Sequence, residues 1–377
     1  MNNSPEDISP QSPRIPTPLF RVAQGVAYTL CLLVCIEIAA RAFVHLGPIF
    51  GRFVGWDDSS SRIGWVNRHH RGKDPADSFI VYDPMRGWTL ASNLRGLTVF
   101  GGKTLSSNSK GIRGNTEYPY QRQPGRQRIL VLGDSFTFGD EVSDDETYAH
   151  YLEELLPGTE VLNMGISGYG HDQMLLYLKG EGVKYKPDVV VVGFVWFDCY
   201  RSLLKFLSFS KPRFELRGGK LVLTNTPVPT PESVLSSEWY QPKTLDLGVM
   251  LRGQFERVLG LMIKHARTIT TAILDEIVAT TRQVGARPAF VYLPMLDELE
   301  NSNTIMTPNE QYLFSYCEES RVPCLFLRQR FLEERKRGVA CTGRRHWDPN
   351  CHATAAQSIR DFLVEKGLIW ERASGRP

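Results

Sequence analysis

The chain has 377 residues, 42% of them hydrophobic and 23% charged, which allows a full core and excludes disorder over most of its length. A formal charge of +3, spread without a basic stripe interleaved with aromatics, excludes a nucleic-acid-binding surface. Runs such as Arg335-Lys336-Arg337 and Arg344-Arg345 read as solvated faces, and no internal repeat of fixed period is visible.

Residues 1–21 are polar, with five prolines from Pro5 to Pro18, a composition that cannot form a core and reads as a disordered tail. Val22–Ala40 follows, 19 residues whose only charge is Glu37, and a helix of about 20 residues spans a bilayer. Ala40-Arg41-Ala42 fits a signal-cleavage site, but the apolar run exceeds a signal h-region and the tail before it is long. Residues 22–42 are therefore read as a single-pass anchor in the cell membrane. Arg14 and Arg21 before the span balance Arg41 and Arg52 after it, so charge alone does not orient it. Residues 43–77 show no period and read as a connector to one domain over 78–370.

Within that domain Phe79–Tyr82 and Leu97–Phe100 are short strand-like runs. Arg128–Leu132 is a continuous apolar run, the mark of a strand buried on both faces of a parallel sheet. Asp144 or Asp145 can cap a helix that Pro157-Gly158 ends. A strand at Glu160–Asn163, a helix at 171–183 and a strand at Val189–Phe194 continue the alternation. Residues 203–260 interrupt it with a hairpin about Gly218-Gly219 and a Pro-rich stretch, an insertion and candidate lid. A helix at 263–284, a strand at Ala289–Leu293, a helix at 308–319, a strand at Cys324–Leu327 and a helix at 353–366 complete the chain. This order predicts an α/β fold, a three-layer α/β/α sandwich about a mostly parallel sheet of flavodoxin-like type.

Gly133-Asp134-Ser135 directly follows the first buried strand, where open α/β sheets place their sites and where a serine hydroxyl is exposed beside its own backbone N–H. The triplet and its surroundings resemble block I of the SGNH/GDSL hydrolases, and a bacterial membrane-anchored branch related to polysaccharide O-acetylation proteins. Asn108–Gly114 is similar to an upstream element of that branch. Asn163–Gly170 looks like block II, with Gly165 at the oxyanion-hole glycine. Tyr185–Val190 is similar to the segment leading into block III. His346–His352 resembles the terminal block, with His346 at the catalytic histidine, and Glu37 and Arg41 sit as in that branch.

The resemblance implies Ser135 as nucleophile, His346 as base, and the N–H groups of Ser135 and Gly165 as oxyanion donors. Two departures stand out. Phe197 occupies the place of the asparagine donor of block III, and Gly343 and Arg344 stand where the histidine-orienting aspartate belongs. Asp198 and Asp348 are the candidate replacements; His171 and His352 lie off the serine, and Trp196 and Trp347 read as wall or core aromatics. The expected activity is a serine esterase or O-acyltransferase acting on acetylated small molecules or cell-surface carbohydrate, from the periplasmic side. The alternative is a non-catalytic binding or assembly component of a polysaccharide system. No cofactor is expected. The cysteines lack CxxC spacing, so no metal is expected either. In an exported domain Cys317 can pair with Cys324 and Cys341 with Cys351, leaving Cys199 alone.

Overall fold

The computed structural model describes residues 18–45, 57–72, 78–300, 305–339 and 341–370. Residues 1–17 of the expected tail, and parts of the connector, lie outside the described residues. Helix α1 (Pro18–His45) carries the apolar run and exposes almost all of it. It is long and apolar enough to cross a membrane. The connector contains a helix, α2 (Asp58–Arg71), which the sequence pattern does not predict. Its N-cap is Asp57, and its apolar side is little more than Trp65 and Val66. These pack with Phe206 and Phe209 from the insertion, so tertiary contacts hold a helix of weak intrinsic pattern.

Two small antiparallel pairs come next, β1 (Ile80–Asp83) with β2 (Gly87–Leu90), and β3 (Leu97–Val99) with β4 (Lys103–Leu105). The central sheet contains β5 (Gln127–Gly133), β6 (Thr159–Gly165), β7 (Val189–Phe194), β10 (Arg287–Tyr292) and β11 (Cys324–Phe326). Its order is β11-β10-β7-β5-β6 and every pairing is parallel. Numbered within the sheet, this is 2-1-3-4-5, the flavodoxin-like doubly wound order, whose switch point falls between β5 and β7.

Because side chains alternate across a strand, β5 feeds two cores at once. Leu130 and Leu132 pack on one face with Leu175, Leu274 and Leu313, while Ile129 and Val131 pack on the other with Leu152, Ala355 and Ile359. The helices at His171–Gly180, Leu261–Gln283 and Pro308–Ser320 therefore cover one face. Those at Tyr148–Leu155, Leu327–Lys336 and Pro349–Glu365 cover the other.

The expected cap at Asp144 or Asp145 is displaced. Ser143 starts a single 3₁₀ turn, and Thr147 caps the helix Tyr148–Leu155 through His150 N–H. The insertion holds the predicted hairpin, β8 (Arg213–Arg217) and β9 (Lys220–Thr224), with Gly218 and Gly219 both at positive φ, as a tight hairpin turn requires. It adds two helices that the sequence does not announce, Pro231–Glu238 and Lys243–Val258.

Candidate active site

Ser135 opens a one-turn helix, Ser135–Phe138, at the carboxyl end of β5. Asp134 caps it by accepting from Phe136 N–H at 3.0 Å. As the first residue of the turn, Ser135 has no helical acceptor for its own N–H. The turn sits directly on the strand ends. A Cβ at Gly133 or Gly165 would overlap Thr137 or the Thr137–Phe138 backbone, so glycine is required at both.

His346 comes from the loop before the last helix. Its Nε2 lies 2.8 Å from Ser135 Oγ, across 211 residues of sequence. Several contacts fix that loop. Trp347 is fully buried, donates its indole N–H to Pro294 O at 2.9 Å, and packs on Phe136 and Phe331. Gly343, at φ 151°, passes so close to the His346 carbonyl that a Cβ would overlap it. Cys341 and Cys351 form a disulfide that closes the loop, and Cys317 and Cys324 form a second. Cys199 is free and buried, as the sequence leaves it. Replacing Cys341 and Cys351 by serine is expected to cost about 2–3 kcal/mol in unfolding free energy by loop-closure entropy. Denaturant unfolding of the wild-type chain against the doubly substituted one, both without reductant, checks it.

Both expected orienters are occupied elsewhere. Asp198 is fully buried and pairs with Arg201 at 2.7 Å; burial and the neighbouring Asp134 push its carboxyl well above the usual range. Asp348 caps the final helix through Cys351 N–H at 2.9 Å and accepts from Thr342 N–H and Oγ. Two carboxylates that the sequence does not point to face the histidine instead. Asp140 Oδ2 is 3.9 Å from Nε2 and accepts from Ser167 Oγ at 2.8 Å, and burial raises its pKa. Glu141 Oε1 is 3.9 Å from Nδ1, a buried nitrogen with no hydrogen-bond partner among the described residues. Glu141 Oε2 also accepts from Arg345 N–H at 3.3 Å. Glu141 holds φ at 70°, a left-handed conformation that costs a non-glycine residue energy and clusters at functional sites. The one signal in the sequence is adjacency, since both acids follow the serine turn within six residues.

Gly165 requires a correction. It is the last residue of β6, paired with Gly133, and its N–H donates to the Asn163 side chain at 3.1 Å. That N–H is not available to an oxyanion. Three residues on, Gly168 sits at φ 82° in the following loop, and its N–H meets no acceptor among the described residues. Arg201 steadies this loop by bridging Tyr169 O at 3.1 Å to Asp134 at 3.0 Å and Asp198, with its guanidinium 4.2 Å from the Phe197 ring centroid. Phe197 is buried against that cation and presents no donor.

The two histidines set apart from the serine, His171 and His352, are buried in the core. His171 stacks on Phe194 and burial lowers its pKa to about 3; His352 accepts from Tyr148 N–H at 3.2 Å and is likewise lowered to about 3. Each is neutral when folded and binds a proton near pH 6.5 when unfolded, so the unfolded chain holds more protons between those values and acid destabilises the fold. Relative to His171→Phe, the wild type should lose about 1.4 kcal/mol more per pH unit as pH falls from about 6.5 towards 3. Unfolding midpoints of both chains across that range check it.

Beside His346 lies a cavity of about 350 Å³ walled by Phe100, Lys103, Glu141, Arg344, Trp347 and Pro349, among others. The candidate lid at 203–260 lends it no residue; the β3–β4 pair does. Among the described residues no cluster of three or more metal-ligating side chains is present.

No family model matches this chain, and no curated protein does. Solved structures are similar to it at low identity. TesA is 14% identical over 64% of this chain and all of its own, with a TM-score of 0.38. Axe2, an acetylxylan esterase from Geobacillus stearothermophilus, is 16% identical over 67% of this chain and all of its own, at 0.37. A member of the lipolytic G-D-S-L family from Veillonella parvula is 10% identical over 63% of this chain and 97% of its own, at 0.36.

Proposed function

We propose that the protein is a membrane-anchored serine hydrolase or acyltransferase of SGNH type, acting on acyl esters. The observation that carries this reading is the 2.8 Å contact of His346 Nε2 with Ser135 Oγ at the sheet's switch point. His346 takes the hydroxyl proton as Ser135 Oγ bonds to the ester carbonyl carbon. The oxyanion then lies on the N–H groups of Ser135 and Gly168. His346 returns the proton to the departing alkoxide, leaving an acyl-serine. Water, or a sugar hydroxyl, attacks that ester next, and His346 carries its proton in turn.

Glu141 acts here as a positioning residue that holds the His346 ring with Nε2 towards the serine. A separation of 3.9 Å exceeds a hydrogen bond, and unliganded sites commonly tighten when substrate binds. The open cavity beside His346 leaves room for a small acyl group on a larger alcohol, and acetylated carbohydrate is the substrate class this reading assigns to it. Turnover of p-nitrophenyl acetate and of acetylated oligosaccharides by the full chain tests the reading. A folded protein inert on both, with Ser135 unreactive, leaves the binding-component alternative that Phe197 favours by withholding a donor.

The anchor reading rests on α1 and on its contact with the rest of the chain. Glu37, near the end of the apolar run, accepts from Lys243 N–H at 2.9 Å and from Thr244 N–H at 3.0 Å, and so caps the helix Lys243–Val258. A chain cleaved after Ala42 would lose that cap, which favours retention. Two disulfides in the globular part favour an oxidising compartment, and so the periplasmic side.

A further inference from the structure

We propose that the exposed apolar face of the helix Lys243–Val258, with Trp239 and Tyr240 before it, lies in the interfacial layer of the bilayer that α1 crosses. This rests on the anchor reading and extends it from one membrane contact to two. The helix has two chemically distinct sides. Lys243 and Asp246 are buried, with Asp246 held by Arg62 at 2.6 Å and Ser59 at 2.8 Å. The opposite side carries Leu245, Val249, Leu251, Phe255 and Val258, all exposed, and Leu259 continues it; helical spacing spreads them over a broad stripe about half the helix circumference wide.

Trp239 is 78% exposed, Tyr240 80%, Phe255 63% and Val258 82%, values that a water-facing surface seldom shows together. The charges within the stripe, Arg252 and Glu256, pair with each other at 2.7 Å. Position selects the occupant. The N-terminus of this helix is bound to Glu37, and Arg41 reaches Gln241 O at 3.4 Å, so the stripe begins where the apolar run of α1 ends. That level is the water–lipid boundary, where tryptophan and tyrosine concentrate and amphipathic helices lie in plane.

The test uses the full chain in phosphatidylcholine vesicles doped with a phosphatidylcholine carrying a diazirine on its acyl chain. After irradiation, lipid adducts are mapped by peptide mass. We expect adducts on α1 and on residues 239–261, and a several-fold lower yield on 239–261 when Leu251→Glu and Phe255→Glu are combined. Adducts on α1 with none on 239–261 would overturn the second contact and leave the anchor standing. Adducts on neither would overturn both. An unchanged yield in the double variant, or cross-links joining 239–261 of two copies in place of lipid adducts, would also overturn it.

Discussion

Ser135→Ala is expected to bring hydrolysis of small acyl esters to background, and His346→Ala to lose nearly as much. The two side chains form one proton-transfer unit, with Oγ and Nε2 2.8 Å apart. Removing either partner of such a unit has cost on the order of 10⁶ in kcat in the subtilisin example, and removing both costs little more. The double variant should therefore match the single ones. Steady-state kinetics on p-nitrophenyl acetate, with unfolding midpoints as a control, check this. A double variant far worse than either single one would mean that the two residues act independently.

Glu141→Gln carries the second largest expected effect. The amide keeps the length and the left-handed backbone cost of the glutamate but removes the charge facing Nδ1, so stability should stay within about 0.5 kcal/mol while kcat falls roughly 10²–10⁴-fold. In the serine proteases the corresponding loss comes from the wrong imidazole tautomer. Glu141→Asp should retain part of the rate. Arg344→Asp, which puts a carboxylate in the same cavity wall, should recover part of the rate lost in Glu141→Gln. A merely structural Glu141 would show neither the retention nor the recovery, and its loss would follow unfolding.

The central strands are legible in the sequence because Ile129–Leu132 and Val189–Val192 are buried on both faces and read as unbroken apolar runs. Helices that owe their form to tertiary contacts are not. Asp58–Arg71 carries a polar, serine-rich first turn and few apolar side chains, and Leu327–Lys336 follows its strand without a loop and buries three apolar side chains, Leu327, Phe331 and Leu332, beside the charged Arg328. In the site, Ser135 is readable from its place after a buried strand and His346 through the family resemblance alone, and the structure brings them into contact. The remainder depends on hydrogen bonds no pattern carries. Which of Gly165 and Gly168 has a free N–H follows from the Asn163 side chain, which takes the Gly165 N–H. Asp198 and Asp348 look available until Arg201 and the cap on Cys351 are in place. Glu141 reaches the histidine only through a backbone conformation that its residue type disfavours.

Covalent capture of the nucleophile tests the central claim most directly. A fluorophosphonate bonds through phosphorus to an activated serine oxygen and releases fluoride, so it reports nucleophile and base together without requiring the natural substrate. The full chain in detergent or vesicles should take up one equivalent, mapped by peptide mass to Ser135, and Ser135→Ala should take up none. Labelling of His346→Ala should be slower by orders of magnitude. A folded wild-type chain whose Ser135 stays unmodified, or a His346→Ala variant labelled as fast as wild type, would contradict the account.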